Sequence, residues 1–180
     1  KIYCFPGNAG TNSIANNIDI NLGDFKKLKD FIIQNKIDFI IIGPEQPLVD
    51  GIVDYLEKFN IKVFGPNKTA SQLEGSKIFT KNLCEKYKIP TAKFGIFSNT
   101  KQALSFLQNC NFPIVIKADG LAAGKGVYIS ENYREASKAV DEIFKGKFGN
   151  AENLLIEEFL SGEEMSFFII CDGKNFKIFG

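Results

Sequence analysis

The sequence predicts an α/β fold in two parts, and three observations carry that reading. Short, continuously apolar runs stop abruptly at glycine or proline: Ile2–Phe5 before Pro6-Gly7, Phe39–Ile42 before Gly43-Pro44, and Ile61–Phe64 before Gly65-Pro66. Between the last two, Leu48, Val49, Ile52, Val53, Leu56 and Phe59 recur at helical spacing, so strand, helix and strand follow one another as in a βαβ unit. After about residue 68 the pattern changes to strands, glycine turns and helices, as in an α+β module.

Ile2–Phe5 is a strand, closed by the loop Pro6–Thr11, which holds two glycines and several backbone donors. Asp24 is suited to cap a helix bearing Phe25, Leu28, Phe31 and Ile32 on one face. Phe39–Ile42 has no polar residue, the mark of a parallel strand buried on both faces. Pro47 is expected at the first position of the next helix. Loops after parallel strands are where α/β folds bind ligands, so Pro6–Thr11 and Gly43–Pro47 are candidates.

Ser76 can cap a helix with Phe79, Leu83 and Tyr87 on one side and Lys77 and Lys81 together on another, ended by Pro90. A strand at Lys93–Phe97, a helix at Thr100–Asn109 and strands at Pro113–Lys117 and Val127–Ser130 follow. Ala136, Ala139, Val140 and Ile143 mark the buried face of one more helix, and Gly146–Asn153 reads as loop. Leu154–Leu160 and Met165–Cys171 read as strands joined by a tight turn at Ser161-Gly162. Asp172-Gly173 is a hairpin signal before a last strand from Phe176, whose pattern runs up to Gly180 and leads us to expect more polypeptide beyond.

Composition narrows the function. The chain has 180 residues, 44% hydrophobic and 24% charged, enough for a sizeable core. Lys and Arg number 22 against 21 Asp and Glu, a net charge of +1, which argues against a nucleic-acid platform or a polybasic membrane binder. There is no histidine, so a Ser-His-Asp triad, a Cys-His nucleophile and an imidazole metal site are excluded within these residues. The four cysteines form no CxxC pair and are expected to be buried thiols in a reducing cytoplasm. No apolar run approaches the ~18 residues of a membrane span.

The stretch Lys117-Ala-Asp-Gly120-Leu-Ala-Ala-Gly124-Lys125-Gly126 carries the most chemistry. It is not a P-loop: the glycine spacing is one short, Lys125 precedes Gly126 rather than Ser or Thr, and a strand follows instead of a helix. It is a glycine-rich turn between two strands, able to lie over phosphates and offer backbone N–H groups. By alternation Lys117 faces the same side as Val115, away from Ile114 and Ile116, and can reach phosphates beneath the turn. Leu155–Leu160 joins strand apolarity to the carboxylates of Glu157 and Glu158. Read alone, it is an edge strand guarded by its charges; beside a nucleotide, its edge could pair with an adenine rim.

Together with Pro6–Thr11, Gly43–Gly51, Leu73-Glu-Gly-Ser-Lys77 and Glu157-Glu-Phe-Leu-Ser-Gly-Glu-Glu164, this stretch closely resembles the phosphoribosylamine–glycine ligase (glycinamide ribonucleotide synthetase) family of the ATP-grasp superfamily. The resemblance runs from Lys1 to Gly180. It implies a Rossmann-like N-terminal domain over 1–72 lacking its first strand. A partial ATP-grasp domain over 73–180 would follow, with a lid subdomain at about 90–158 and the start of the larger subdomain. It implies that Lys77 and Lys117 contact ATP phosphates as the catalytic lysines. Gly120, Ala123, Gly124, Lys125 and Gly126 would form the lid loop. Glu157, Glu158, Phe159 and Leu160 would form the adenine hinge, and Glu164 would hold the ribose. Gly7, Asn8, Gly10, Thr11, Gly43, Pro44 and Glu45 would hold 5-phosphoribosylamine.

The implied reaction joins glycine to 5-phosphoribosylamine through glycyl phosphate, giving glycinamide ribonucleotide, ADP and phosphate in purine biosynthesis. The implied cofactors are ATP and Mg²⁺ or Mn²⁺, the metal ligands being expected beyond residue 180. The implied state is a cytoplasmic monomer, with no nucleic-acid or membrane partner. On this resemblance the chain is a fragment, inactive alone. The alternative is a non-catalytic, degenerate ATP-binding remnant of such a ligase.

Overall fold

The computed structural model describes residues 1–121, 126–149 and 151–179. The first part holds two small parallel pairs. Strand β1 (Tyr3–Cys4) pairs with β2 (Asn16–Asn17) across a 3₁₀ turn at Thr11–Ser13. Helix α1 (Phe25–Gln34) follows, capped by Asp24, whose carboxylate accepts the Lys27 N–H at 3.0 Å. Strand β3 (Ile40–Ile41) then pairs in parallel with β4 (Val63–Phe64), and helices α2 (Glu45–Asp50) and α3 (Ile52–Glu57) lie between them in the chain. Leu28 and Ile32 of α1 pack with Leu48, Ile52, Val53 and Leu56 of α2 and α3 as one buried cluster.

The structure departs from the sequence pattern at three points. The helix after Gly43-Pro44 begins at Glu45, so Pro47 is its third residue; its missing N–H is still no loss inside the first turn. The helix is also not continuous: Gly51, at φ +96°, closes α2 in a left-handed conformation and α3 restarts beyond it. The run Phe39–Ile42 is not buried on both faces. Only one face is covered: Ile40 and Ile42 pack on the cluster of Leu28 and Ile32, whereas Ile41, on the alternate face, is 70% exposed.

The second part opens with the short helix α4 (Gln72–Gly75) and helix α5 (Lys77–Tyr87), which Ser76 caps by accepting the Phe79 N–H at 3.1 Å. Strand β5 (Phe94–Phe97), helix α6 (Thr100–Leu107), strands β6 (Ile114–Ala118) and β7 (Val127–Ser130), helix α7 (Tyr133–Phe144) and strand β8 (Leu154–Glu158) follow. They build a four-stranded antiparallel sheet in the order β5-β8-β6-β7. One face carries Ile114, Ile116, Ala118, Leu154 and Ile156, packed on Ala103 and Leu107 of α6 and Ala136, Ala139, Val140 and Ile143 of α7. Each large aliphatic side chain so buried contributes about 1.5–3 kcal/mol.

The run Leu154–Glu158 is therefore no edge strand. It lies inside the sheet between β5 and β6, where its own hydrogen-bonding groups are used on both sides. Nor does it form a hairpin with the next strand: β9 (Ile169–Cys171) pairs with β10 (Phe176–Ile178) across the Asp172-Gly173 turn. The cysteines are free but not buried; Cys171 is exposed and the other three are half-buried.

Candidate active site

The face of the sheet opposite the core is the informative one. In antiparallel pairing, residues directly opposite point to the same side. Register places Glu157 opposite both Phe94 and Val115, and Lys117 opposite both Leu155 and Val127. Lys117 therefore shares a face with Val115 and Glu157, away from buried Ile114 and Ile116, as alternation predicted. Ile96, Val127 and Ile129 on that face are uncovered. The result is an open, half-apolar surface with charge at its centre.

That charge is a cluster of three groups from three elements. Glu157 on β8 is 4% exposed. Its Oε1 receives the Lys81 ammonium of α5 at 2.5 Å, off the line of a well-formed hydrogen bond, so the contact is foremost an ion pair. Its Oε2 pairs with the Lys117 ammonium of β6. Lys81 Nζ also donates to Thr91 Oγ1 at 2.6 Å and to the Ala92 carbonyl at 3.3 Å, and it lies 5.4 Å from the centre of the Phe94 ring. A carboxylate so buried is tolerable only when paired.

The start of the glycine turn is tied to the same helix. Ala118 N–H donates to the Gly126 carbonyl at 2.8 Å, which closes the turn between antiparallel β6 and β7. Asp119 accepts the Ser76 hydroxyl at 3.1 Å and the Ile78 N–H at 3.2 Å, and Lys77 Nζ donates to the Gly120 carbonyl at 2.9 Å. A second carboxylate thus joins Ser76 in satisfying the first N–H groups of α5. Lys77, Lys81, Lys117, Gly120 and Glu157 are brought together from distant parts of the chain. Ala123, Gly124 and Lys125 lie outside the described residues.

The other expected residues divide. Glu158 is exposed, and its carboxylate accepts the Lys93 N–H at 2.9 Å. Phe159 and Leu160 leave the end of β8 exposed, and Glu164 is exposed further on. Gly7, Asn8 and Pro44 line a cavity of about 360 Å³ between β1 and β3, with Leu28, Ile32 and Ile52 among its apolar walls. Gly10, Thr11, Gly43 and Glu45 do not line it. The Pro6–Thr11 loop spends its polar groups on itself. Asn8 N–H donates to Thr11 Oγ1 at 2.8 Å, Thr11 N–H to Asn8 Oδ1 at 3.0 Å, and Asn17 Nδ2 to the Asn8 carbonyl at 2.8 Å. Gly7 is required there, since a Cβ would lie 2.2 Å from Asn17 Oδ1.

Lys81 and Asp119 were absent from the sequence-derived site. Lys81 stands four residues from Lys77 on the same helix face, which was a signal. Asp119 stands inside the glycine string, and no spacing along the chain ties it to Ser76, 43 residues earlier.

A sheet with helices on one face, a glycine turn between strands and lysines gathered on the open face define an ATP-grasp protein. The biotin carboxylase domain of Hydrogenobacter thermophilus 2-oxoglutarate carboxylase has a similar fold (TM-score 0.66, 20% identity, 88% of this chain and 38% of that chain). The family model described as phosphoribosylglycinamide synthetase, N domain, matches residues 1–74, and that described as phosphoribosylglycinamide synthetase, ATP-grasp (A) domain, matches residues 75–180. The chain belongs to the phosphoribosylglycinamide synthetase family.

A phosphoribosylamine–glycine ligase of Caldanaerobacter subterraneus is 48% identical over 177 residues, covering 97% of this chain and 42% of that protein. The crystal structure of phosphoribosylamine–glycine ligase from Thermotoga maritima superimposes with a TM-score of 0.79 at 31% identity, over 99% of this chain and 42% of that one. The chain thus spans about 42% of the length of these relatives.

Proposed function

We propose that this chain is the ATP-binding part of a ligase that joins glycine to 5-phosphoribosylamine. The observation that carries the reading is that α5 and β6 each bring a lysine to the glycine turn and its sheet: Lys77 donates to the Gly120 carbonyl at 2.9 Å, and Lys117, on the face of the β5-β8-β6-β7 sheet away from the core, pairs with Glu157. Two ammonium groups beside a glycine turn suit the γ- and β-phosphates of ATP. The uncovered Ile96, Val127 and Ile129 on the same face suit an apolar base. In this reading the glycine turn that starts at Gly120 serves the phosphates, Glu158–Leu160 borders the adenine while the Glu157 carboxylate is taken up by Lys81 and Lys117, and Glu164 binds the ribose.

The chemistry then needs alignment and charge compensation rather than an imidazole base. Glycine's carboxylate oxygen attacks the γ-phosphorus and ADP leaves. The amine of 5-phosphoribosylamine attacks the resulting acyl carbon, phosphate leaves, and the amine loses a proton. Lys77 and Lys117 hold the phosphates in line and offset the charge on their oxygens. Magnesium or manganese, when bound, would share that neutralisation. Among the described residues, no group of three His, Cys, Asp or Glu side chains is placed to hold it.

The loops holding Gly7, Asn8 and Pro44 follow the parallel strands β1 and β3, the position at which such sheets take ligands, and this supports a role for them toward 5-phosphoribosylamine. Because Asn8 and Thr11 are engaged with each other, they act by shaping the loop. The reading extends to a monomer in the reducing cytoplasm, which suits the four free thiols.

The test is phosphate release from ATP by the full-length protein, supplied with glycine and 5-phosphoribosylamine separately and together. Release only with both is expected. ATP binding with no release under any combination would favour the non-catalytic remnant.

A further inference from the structure

The two lysines on Glu157 differ in how they are held. Lys81 has an 11% exposed side chain and is surrounded by three acceptors: Glu157 Oε1, Thr91 Oγ1 and the Ala92 carbonyl. Lys117 is 29% exposed, and among the described residues its ammonium meets Glu157 alone. One is fixed and the other is free to leave. Yet Glu157, at 3% side-chain exposure, cannot be left without a counter-charge.

We propose that Lys81 is a positioning residue that frees Lys117 for the nucleotide. Two ammonium groups share one buried carboxylate, so either can compensate it. When phosphate oxygens draw Lys117 from Oε2, Lys81 remains on Oε1 and keeps Glu157 paired and in place. Without Lys81, Lys117 would be the sole partner of a buried charge, and binding phosphate would mean abandoning it. Lys81 itself touches no phosphate. The inference rests on the reading that ATP phosphates engage Lys117.

A charge cycle in the full-length protein, read by calorimetric titration with ATP, tests this. Lys81→Met is expected to weaken ATP binding about tenfold. Adding Glu157→Gln to that variant removes the anion that traps Lys117 and is expected to restore affinity to within about threefold of the parent. A merely structural role would give the opposite, since the second change would add to the first. Where Lys81→Met lowers the melting temperature, Lys81→Gln replaces it, keeping a donor for Thr91 and the Ala92 carbonyl but not the charge.

Unchanged affinity on removing the Lys81 charge, or a double variant no tighter than the single one, would overturn the proposal. Failure of the parent protein to bind ATP would instead overturn the proposed function, so the two failures are distinguishable.

Discussion

Lys117 reaches the open face because strand alternation leaves it nowhere else to go: its neighbours Ile116 and Ala118 are buried against the helices. Its removal should therefore cost binding rather than folding. Lys117→Ala is expected to weaken ATP affinity about 10- to 100-fold, the worth of one charge-assisted contact, with little change in melting temperature. Calorimetry beside a thermal melt would show it, and unchanged affinity would remove Lys117 from the phosphate site. Asp172 is a different case, a carboxylate that organises a turn. The Asn175 and Lys174 N–H groups donate to it at 2.7 and 2.9 Å, and with Asn175 as the largest cause its pKa falls from 3.8 to about 2. A depressed carboxylate pKa means that its stabilisation is fully present above pH 3.8 and is lost as pH falls through about 2. An NMR titration of the Asp172 side chain should have its midpoint near 2, and one at the ordinary value would mean that the turn is not held this way. The sequence marked Lys77, Lys117 and the Asp172-Gly173 turn. It could not show Lys81 facing Glu157, because that pairing needs α5 laid across β8.

At the scale of elements, α5 does more than carry a lysine. Its N-terminus is held by Ser76 and by Asp119 at the start of the glycine turn, so helix and turn are fastened at one point. Both of its site lysines, one helical turn apart, project from this anchored end. The facing helix α7 is the support beneath. Ile143 is 1% exposed and packs in the cluster under β6 and β8. Ile143→Ala is expected to cost about 2–5 kcal/mol in urea unfolding, by lost transfer energy and the cavity it leaves. A loss below about 1 kcal/mol would mean the site sheet is not supported by this packing. The α7 pattern Ala136, Ala139, Val140 and Ile143 was fully legible, because helical periodicity and burial agree there. The break at Gly51 was not, since the apolar spacing runs straight through it and only the left-handed backbone separates α2 from α3.

Across the whole molecule, apolar surface is distributed unevenly. The helices and sheet of residues 94–158 bury a continuous core, whereas the β9–β10 hairpin has no buried residue, with Ile169 51% and Ile178 66% exposed directly opposite each other. Paired exposed aliphatics of this kind make a sticky surface. The 180-residue chain is expected to enhance the fluorescence of an apolar dye such as 1-anilinonaphthalene-8-sulfonate. Ile169→Asp with Ile178→Asp should reduce that signal by about half or more, and no reduction would place the dye elsewhere. The same hairpin shows why the turn at Ser161-Gly162 misled. A turn signal says that the chain reverses but not which strand it returns to, and β8 finds its partners in β5 and β6 instead.

The features legible from the chain alone were local: helix caps at Asp24 and Ser76, the buried face of α7, the alternation that exposes Lys117, and a glycine string specific enough to mark the family. These are set by periodicities and hydrogen bonds within a few residues. The long-range features came from packing in three dimensions. Packing placed β8 inside the sheet, joined Asp119 to the start of α5, and set Lys81 and Lys117 on the two oxygens of Glu157. A buried charge takes whatever counter-charge the packed fold brings to it, and no spacing along the chain records that choice.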